Sequence, residues 1–144
     1  MSTTIRPELA KDNKYFIPRH RYYELKHFCM QYPGWKKLHN ELASNAYHST
    51  YVIKAKKALC IPSHSEEQFV EKCAILQASL FNRINMVETA AKRADEGLAP
   101  YILEGVTLGI PYDIIKLRMN IPCCKKVYYE VYRKFFAILD SMRD

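Results

Sequence analysis

Apolar side chains recur at three- and four-residue spacing from Arg19 onward: Tyr22, Leu25, Phe28 and Cys29 fall on one helical stripe. Tyr32-Pro33-Gly34 then interrupts the pattern, and Trp35, Leu38 and Leu42 begin a second helix. The two predict an αα-hairpin with Trp35 as the lid on its small core. Ser63-His64-Ser65-Glu66 has the form of a capping box, in which the serine hydroxyl and the glutamate each satisfy an amide of the first turn. Behind it, Phe69, Cys73, Leu76, Leu80, Ile84, Val87, Ala91 and Ala94 keep to one stripe. They predict a helix of about 30 residues that ends near Asp95-Glu96-Gly97, with the glycine as its C-terminal cap.

Three shorter segments follow. Tyr101, Ile102, Leu103, Val106 and Leu108 predict a helix that stops at Gly109. Pro111 to Met119 predicts a short one, with Pro111 tolerated in the first turn. Asn120-Ile121-Pro122 is a tight connection, and a last helix runs from about Cys123 to Met142, with Val127, Val131, Phe135 and Ile138 on its buried side. At least one of Tyr128 and Tyr132, on the flank of that stripe, is expected to be buried as well. A short helix, a turn and a longer amphipathic helix make a helix-turn-helix, whose second helix enters the major groove of DNA. Ile114, Leu117, Ile121, Val127 and Val131 are the expected knot between its helices.

The expected fold is therefore all-α: an N-terminal αα-hairpin, one long central helix and a C-terminal three-helix helix-turn-helix unit. The polar stretch 1–18 reads as a mobile arm, 19–62 as the hairpin and a basic linker, 63–96 as the central helix and 97–144 as the helix-turn-helix region. Nothing repeats, and no segment is of low complexity. A central helix of that length packs either within the chain or against a second copy, so a monomer and a homodimer are both open.

Charge adds to this picture through its placement. The 144-residue chain has a formal net charge of +7, with +7 in residues 1–62, −2 in 63–99 and +2 in 100–144. Between Ile114 and Leu139 stand Lys116, Arg118, Lys125, Lys126, Arg133 and Lys134 with Glu130 as the only acid, a local +5. Such a cluster on the element that would meet phosphate points to double-stranded DNA as a partner. The eleven tyrosines suit wet, polar interfaces, since each joins a flat apolar body to a polar tip.

Other chemistry is sparse. The five cysteines (Cys29, Cys60, Cys73, Cys123, Cys124) form no CxxC, and an odd number with one vicinal pair is no disulfide framework. Cys60, His64 and Cys73 are the best metal-ligand set on offer, but Pro62 interrupts a helical face there. No metal site or cofactor is expected. Glu66, Glu67 and Glu71 are acids at a helix start, which capping explains, and neither Cys29 beside His27 nor Cys60 near His64 amounts to a nucleophile–base pair. No Gly-rich phosphate loop, HExxH or GxSxG occurs, so no catalytic residue is expected. With no apolar run of about 18 residues and no signal-peptide core, the expected setting is a reducing cytoplasm without membrane contact.

Residues 22–37, Tyr-Tyr-Glu-Leu-Lys-His-Phe-Cys-Met-Gln-Tyr-Pro-Gly-Trp-Lys-Lys, resemble the opening of small proteins encoded by phages and prophages of Firmicutes. Gly105-Val106-Thr107, Tyr112-Asp113, Ile121-Pro122-Cys123, Tyr129 and Arg133-Lys134-Phe135-Phe136 resemble their C-terminal end. The likeness is to the ArpU and RinA type regulators of phage late genes, and it covers about residues 19–43 and 63–142. It implies a C-terminal part like the sigma-factor helix-turn-helix that reads the −35 promoter element, at work in the bacterial host cell. Two departures stand out. Cys124 replaces the glycine usual after Ile-Pro-Cys, and Tyr132-Arg133-Lys134 replaces a more arginine-rich run, which leaves fewer guanidinium forks for guanine.

The expected function is sequence-specific DNA binding in phage late-gene transcription. Lys125, Lys126 and Tyr129 would face base edges, and Lys116, Arg118, Arg133 and Lys134 would hold phosphates. The alternatives are a protein-binding module that docks on host RNA polymerase or another host or virion protein without touching DNA, and a small DNA-packaging subunit.

Overall fold

The computed structural model describes residues 14–45 and 66–144, and among them the regular structure is entirely helical. The helices are α1 (Arg19–Met30), α2 (Tyr32–Asn45), α3 (Glu66–Ala94), α4 (Ala99–Leu108), α5 (Tyr112–Met119) and α6 (Lys125–Met142). The expected arm up to residue 13, most of the basic linker and the Ser63–Ser65 part of the capping box lie outside the described residues. So do Cys60 and His64. No helix among the described residues is long and apolar enough to cross a membrane.

α1 and α2 are the two helices expected in this stretch, but the break between them is narrower than the Pro-Gly pair suggested. Gln31 alone separates them, and its N–H returns to the carbonyl of Phe28. Pro33 and Gly34 sit inside the first turn of α2. There a proline is tolerated because the first-turn amides have no intrahelical acceptor to lose.

The chain divides into two compact units, 34–84 and the remainder. In the first, α2 meets the middle of α3. The Arg83 guanidinium lies 5.9 Å from the ring centre of Trp35, and His39 and Phe81 stand 6.2 Å apart. Trp35, Leu42, Leu80 and Ile84 are buried, whereas Leu38 and Leu76, both on predicted stripes, are exposed.

In the second unit, α1 packs on α4 and α6, and α4, α5 and α6 pack on one another. Its core holds Tyr22, Leu25, Phe28 and Cys29 of α1 with Val87, Ala91 and Ala94 of α3, as the periodicity of both stripes predicts, and Ala90 beside them. Gly97 does not cap α3. Its backbone is not left-handed, and the Asp95 carboxylate closes the bend by accepting from the Leu98 N–H at 3.0 Å. Gly109 does cap α4, at φ +67°, with its own N–H and that of Ile110 returned to the Gly105 carbonyl. Asn120 ends α5 in the same left-handed region, at φ +53°. Short polar side chains tolerate that region better than branched ones.

The last helix is turned relative to its expected stripe. Tyr128, Phe135, Phe136 and Leu139 are fully buried, while Val127 is 40% exposed and Val131 and Ile138 are half-buried. The expected knot shifts with it. Ile121 is buried, but Ile114, Leu117 and Val127 are exposed, and Tyr112, Ile115 and Tyr128 occupy the centre instead. Aromatic rings remove more apolar area from water than valine does, so the tyrosine-phenylalanine stripe takes the inside.

Candidate nucleic-acid interface

The helices α5 and α6 are joined through residues 120–124, and the junction is held by tyrosine hydroxyls. Tyr112, first residue of α5, donates its hydroxyl to the Cys123 carbonyl at 2.5 Å. The Tyr112 N–H, one of the amides that a helix start leaves unpaired, donates to the Tyr129 hydroxyl at 3.3 Å. Burial pushes the Tyr112 phenol and the Cys123 thiol up from their ordinary values, so both stay neutral. Tyr128, Tyr129 and Tyr132 stack in tilted and edge-on pairs with centroids 5.0 to 6.1 Å apart, and Phe136 continues the row.

α1 braces the far half of α6. The hydroxyls of Tyr22 and Tyr132 share a hydrogen bond of 2.7 Å, and the Tyr22 ring meets Phe136 edge-on at 5.1 Å. Arg21 bridges Asp140 at 2.5 Å and Asp144 at 3.2 Å, and the Arg143 guanidinium lies 3.7 Å from the ring centre of Phe28. These contacts run from Tyr132 to the C-terminal end of α6 and the two residues beyond it.

The seven expected site residues divide into three groups. Lys116 and Lys126 are exposed, Lys134 is half-buried, and none of the three side chains makes an ion pair or hydrogen bond among the described residues. Arg118 and Lys125 are exposed but face acids: Arg118 pairs with Glu104 at 3.3 Å, and Lys125 stands 4.0 Å from Asp113. Asp113 and Glu104 lie outside the stretch that gave the local +5, and folding brings them back against it. Tyr129 and Arg133 are half-buried, with Tyr129 committed to the α5 start.

Two features escaped the sequence reading. Glu130 is exposed one turn from both Lys126 and Lys134, on the ridge opposite the buried rings, and Val127 shares that ridge. The i, i+4 spacing of Lys126, Glu130 and Lys134 was visible, but which face it occupied depended on which stripe was buried. The outer face of α5 is apolar at Ile114 and at Leu117, the latter 83% exposed. No cluster of three or more His, Cys, Asp or Glu side chains suited to a metal ion occurs among the described residues. Cys29 is buried, while its sequence neighbour His27 is exposed. Compared with protein-family models, curated proteins and solved structures, the chain matches none.

Proposed function

We propose that the protein is a DNA-binding regulator of phage or prophage late-gene transcription, of the ArpU and RinA type, acting through α5 and α6. One observation carries the reading. The first turns of α6 are exposed and basic at Lys125 and Lys126, while the opposite face of that helix is held by aromatic packing on α1 and α5 and by contact with α4. A firmly braced helix with an exposed, cationic ridge at its N-terminal end is what entry into a major groove requires. Lys116, Lys126 and Lys134 lead as phosphate or base contacts. Arg118 and Lys125 contribute on exchange of Glu104 and Asp113 for phosphate, and Tyr129 and Arg133 line the edge.

The test is recovery of DNA crosslinked to the tagged protein during phage induction, followed by sequencing. The reading expects enrichment upstream of the late genes, and an even background over host and phage DNA would contradict it. A second reading, docking on another protein such as host RNA polymerase, is favoured by the outward Leu117 and Ile114, since exposed apolar side chains on a small helix suit a protein partner. Retention of polymerase subunits from nuclease-treated lysate, lost in Leu117→Ser, is its expected mark.

A further inference from the structure

We infer that Glu130 is the specificity-determining residue of the proposed DNA contact, an acceptor for the exocyclic amino group of a cytosine, with Lys126 and Val127 reading neighbouring bases. This rests on the DNA-binding reading above and sharpens it, because it changes which ridge of α6 faces the groove.

The buried ring stripe fixes the rotation of α6. With Tyr128, Phe135, Phe136 and Leu139 inward, the side chains that point away from α4 and α5 are Lys126, Val127 and Glu130, then Lys134 two turns along. Lys125 and Tyr129 stand at the edge, bound to Asp113 and to the α5 backbone. Recognition helices meet base edges through their N-terminal turns. From Lys126 to Lys134 the rise is about 12 Å, comparable with the width of the major groove. α1 covers the helix from Tyr132 through Phe136 to Asp140, and Arg143 just beyond it, so the exposed ridge at 126–130 is the part left for the groove floor.

Glu130 is out of place on a surface that only holds phosphates. It has no salt-bridge partner among the described residues, although Lys126 and Lys134 are each one turn away. A carboxylate over the sugar-phosphate wall would repel it. At the groove floor the same group finds a donor, because cytosine N4 is an amino group that a carboxylate can accept from. Lys126, one turn nearer the helix start, matches the N7 and O6 acceptors of guanine. The methyl groups of Val127 match the C5 methyl of thymine. Lys134, farther along, is left for phosphate.

The experiment is selection from a pool of duplexes with a randomised central segment, using the full chain as wild type, Glu130→Ala, Glu130→Gln and Lys125→Gln, each checked for native helicity. Wild type should select a motif with cytosine at one dominant position. Glu130→Ala should flatten the preference at that position by about tenfold to a hundredfold and leave the others in place. Glu130→Gln should move the preference there towards adenine, since an amide pairs with adenine N6 and N7. Lys125→Gln should weaken binding without altering the motif. If Glu130→Ala binds every sequence more tightly and keeps the wild-type motif, Glu130 is only a solvated acid and the inference fails while DNA binding stands. If wild type retains no duplex at all, the DNA-binding reading fails and the inference falls with it.

Discussion

Gly105 of α4 lies so close to the Tyr128 hydroxyl of α6 that no side chain fits between them. A Cβ at this position would also stand 2.8 Å from Cδ1 of Ile115 on α5, so three helices converge on one missing methyl group. The requirement is spatial, since Gly105 is an ordinary helical residue with no positive φ. It lets the fully buried Tyr128 ring become the centre of the α4–α5–α6 packing.

Gly105→Ala should therefore destabilise the protein, although alanine is the better helix former. Overpacking costs about 1–3 kcal/mol, against a propensity gain near 1 kcal/mol. Thermal unfolding should show a midpoint lower by a few degrees, restored in part when Tyr128→Phe removes the atom that clashes. An unchanged or raised midpoint for Gly105→Ala alone would contradict the tight contact.

Tyr128→Phe alone should be neutral or stabilising. The Tyr128 hydroxyl is buried and has no hydrogen-bond partner among the described residues, and a buried unsatisfied polar group costs about 1–3 kcal/mol. Phenylalanine keeps the ring and loses that burden. Chemical denaturation of the two proteins measures the difference, and a marked loss of stability in Tyr128→Phe would reveal a bond to the hydroxyl.

Burial pushes the Cys29 thiol above its ordinary value of 9.0, and the phenols of Tyr128 and Tyr32 above theirs of 10.0. Tyr32 is held further by donating to the Glu88 carboxylate at 2.5 Å. Each group is thus neutral in the folded chain at a pH where the unfolded chain ionises. Their stabilising effect is complete below the ordinary values and declines as pH rises past them. Denaturation midpoints should fall from about pH 9 upward, starting with the thiol. In Cys29→Ala the earliest part of that decline should shrink, leaving the share of Cys73 and Cys123, whose thiols burial also raises, and an identical alkaline profile would clear Cys29 of the role.

Neutralising the cations should separate them by their partners. Lys116→Gln and Lys134→Gln each remove a charge that makes no ion pair among the described residues and is left for phosphate, so each should lower the slope of log K against log salt by about 1. Arg118→Gln and Lys125→Gln remove charges already opposed by Glu104 and Asp113, and should lower it by less. Equal losses for all four would show that both acids are displaced on binding.

Much of this fold was legible in the residue pattern, because α1 and the later part of α3 bury only one face and carry one clean stripe. Gly109 was legible as a stop for the same reason, since nothing else in its neighbourhood tolerates a left-handed turn so readily. In α6 two stripes compete one residue apart. Val127, Val131, Phe135 and Ile138 keep helical spacing as well as Tyr128, Phe135, Phe136 and Leu139 do. What decides between them is the slot at Gly105, some twenty residues away in the chain, which only the ring of Tyr128 fills. The error passed directly into the candidate site. Rotation of the helix put Glu130 and Val127 outward and turned Tyr129 to the α5 backbone. The charge count had a similar horizon, because Glu104 and Asp113 reach Arg118 and Lys125 only through the packing of α4, α5 and α6.

The central claim is that α5 and α6 bind duplex DNA through their exposed cations, and an equilibrium salt titration tests it most directly. The intact protein would be titrated onto a labelled duplex from the late-gene upstream region at 50 to 200 mM salt. With about six phosphate contacts, affinity should fall roughly a thousandfold across that range. A flat salt response, or no binding at the lowest salt, would contradict the account.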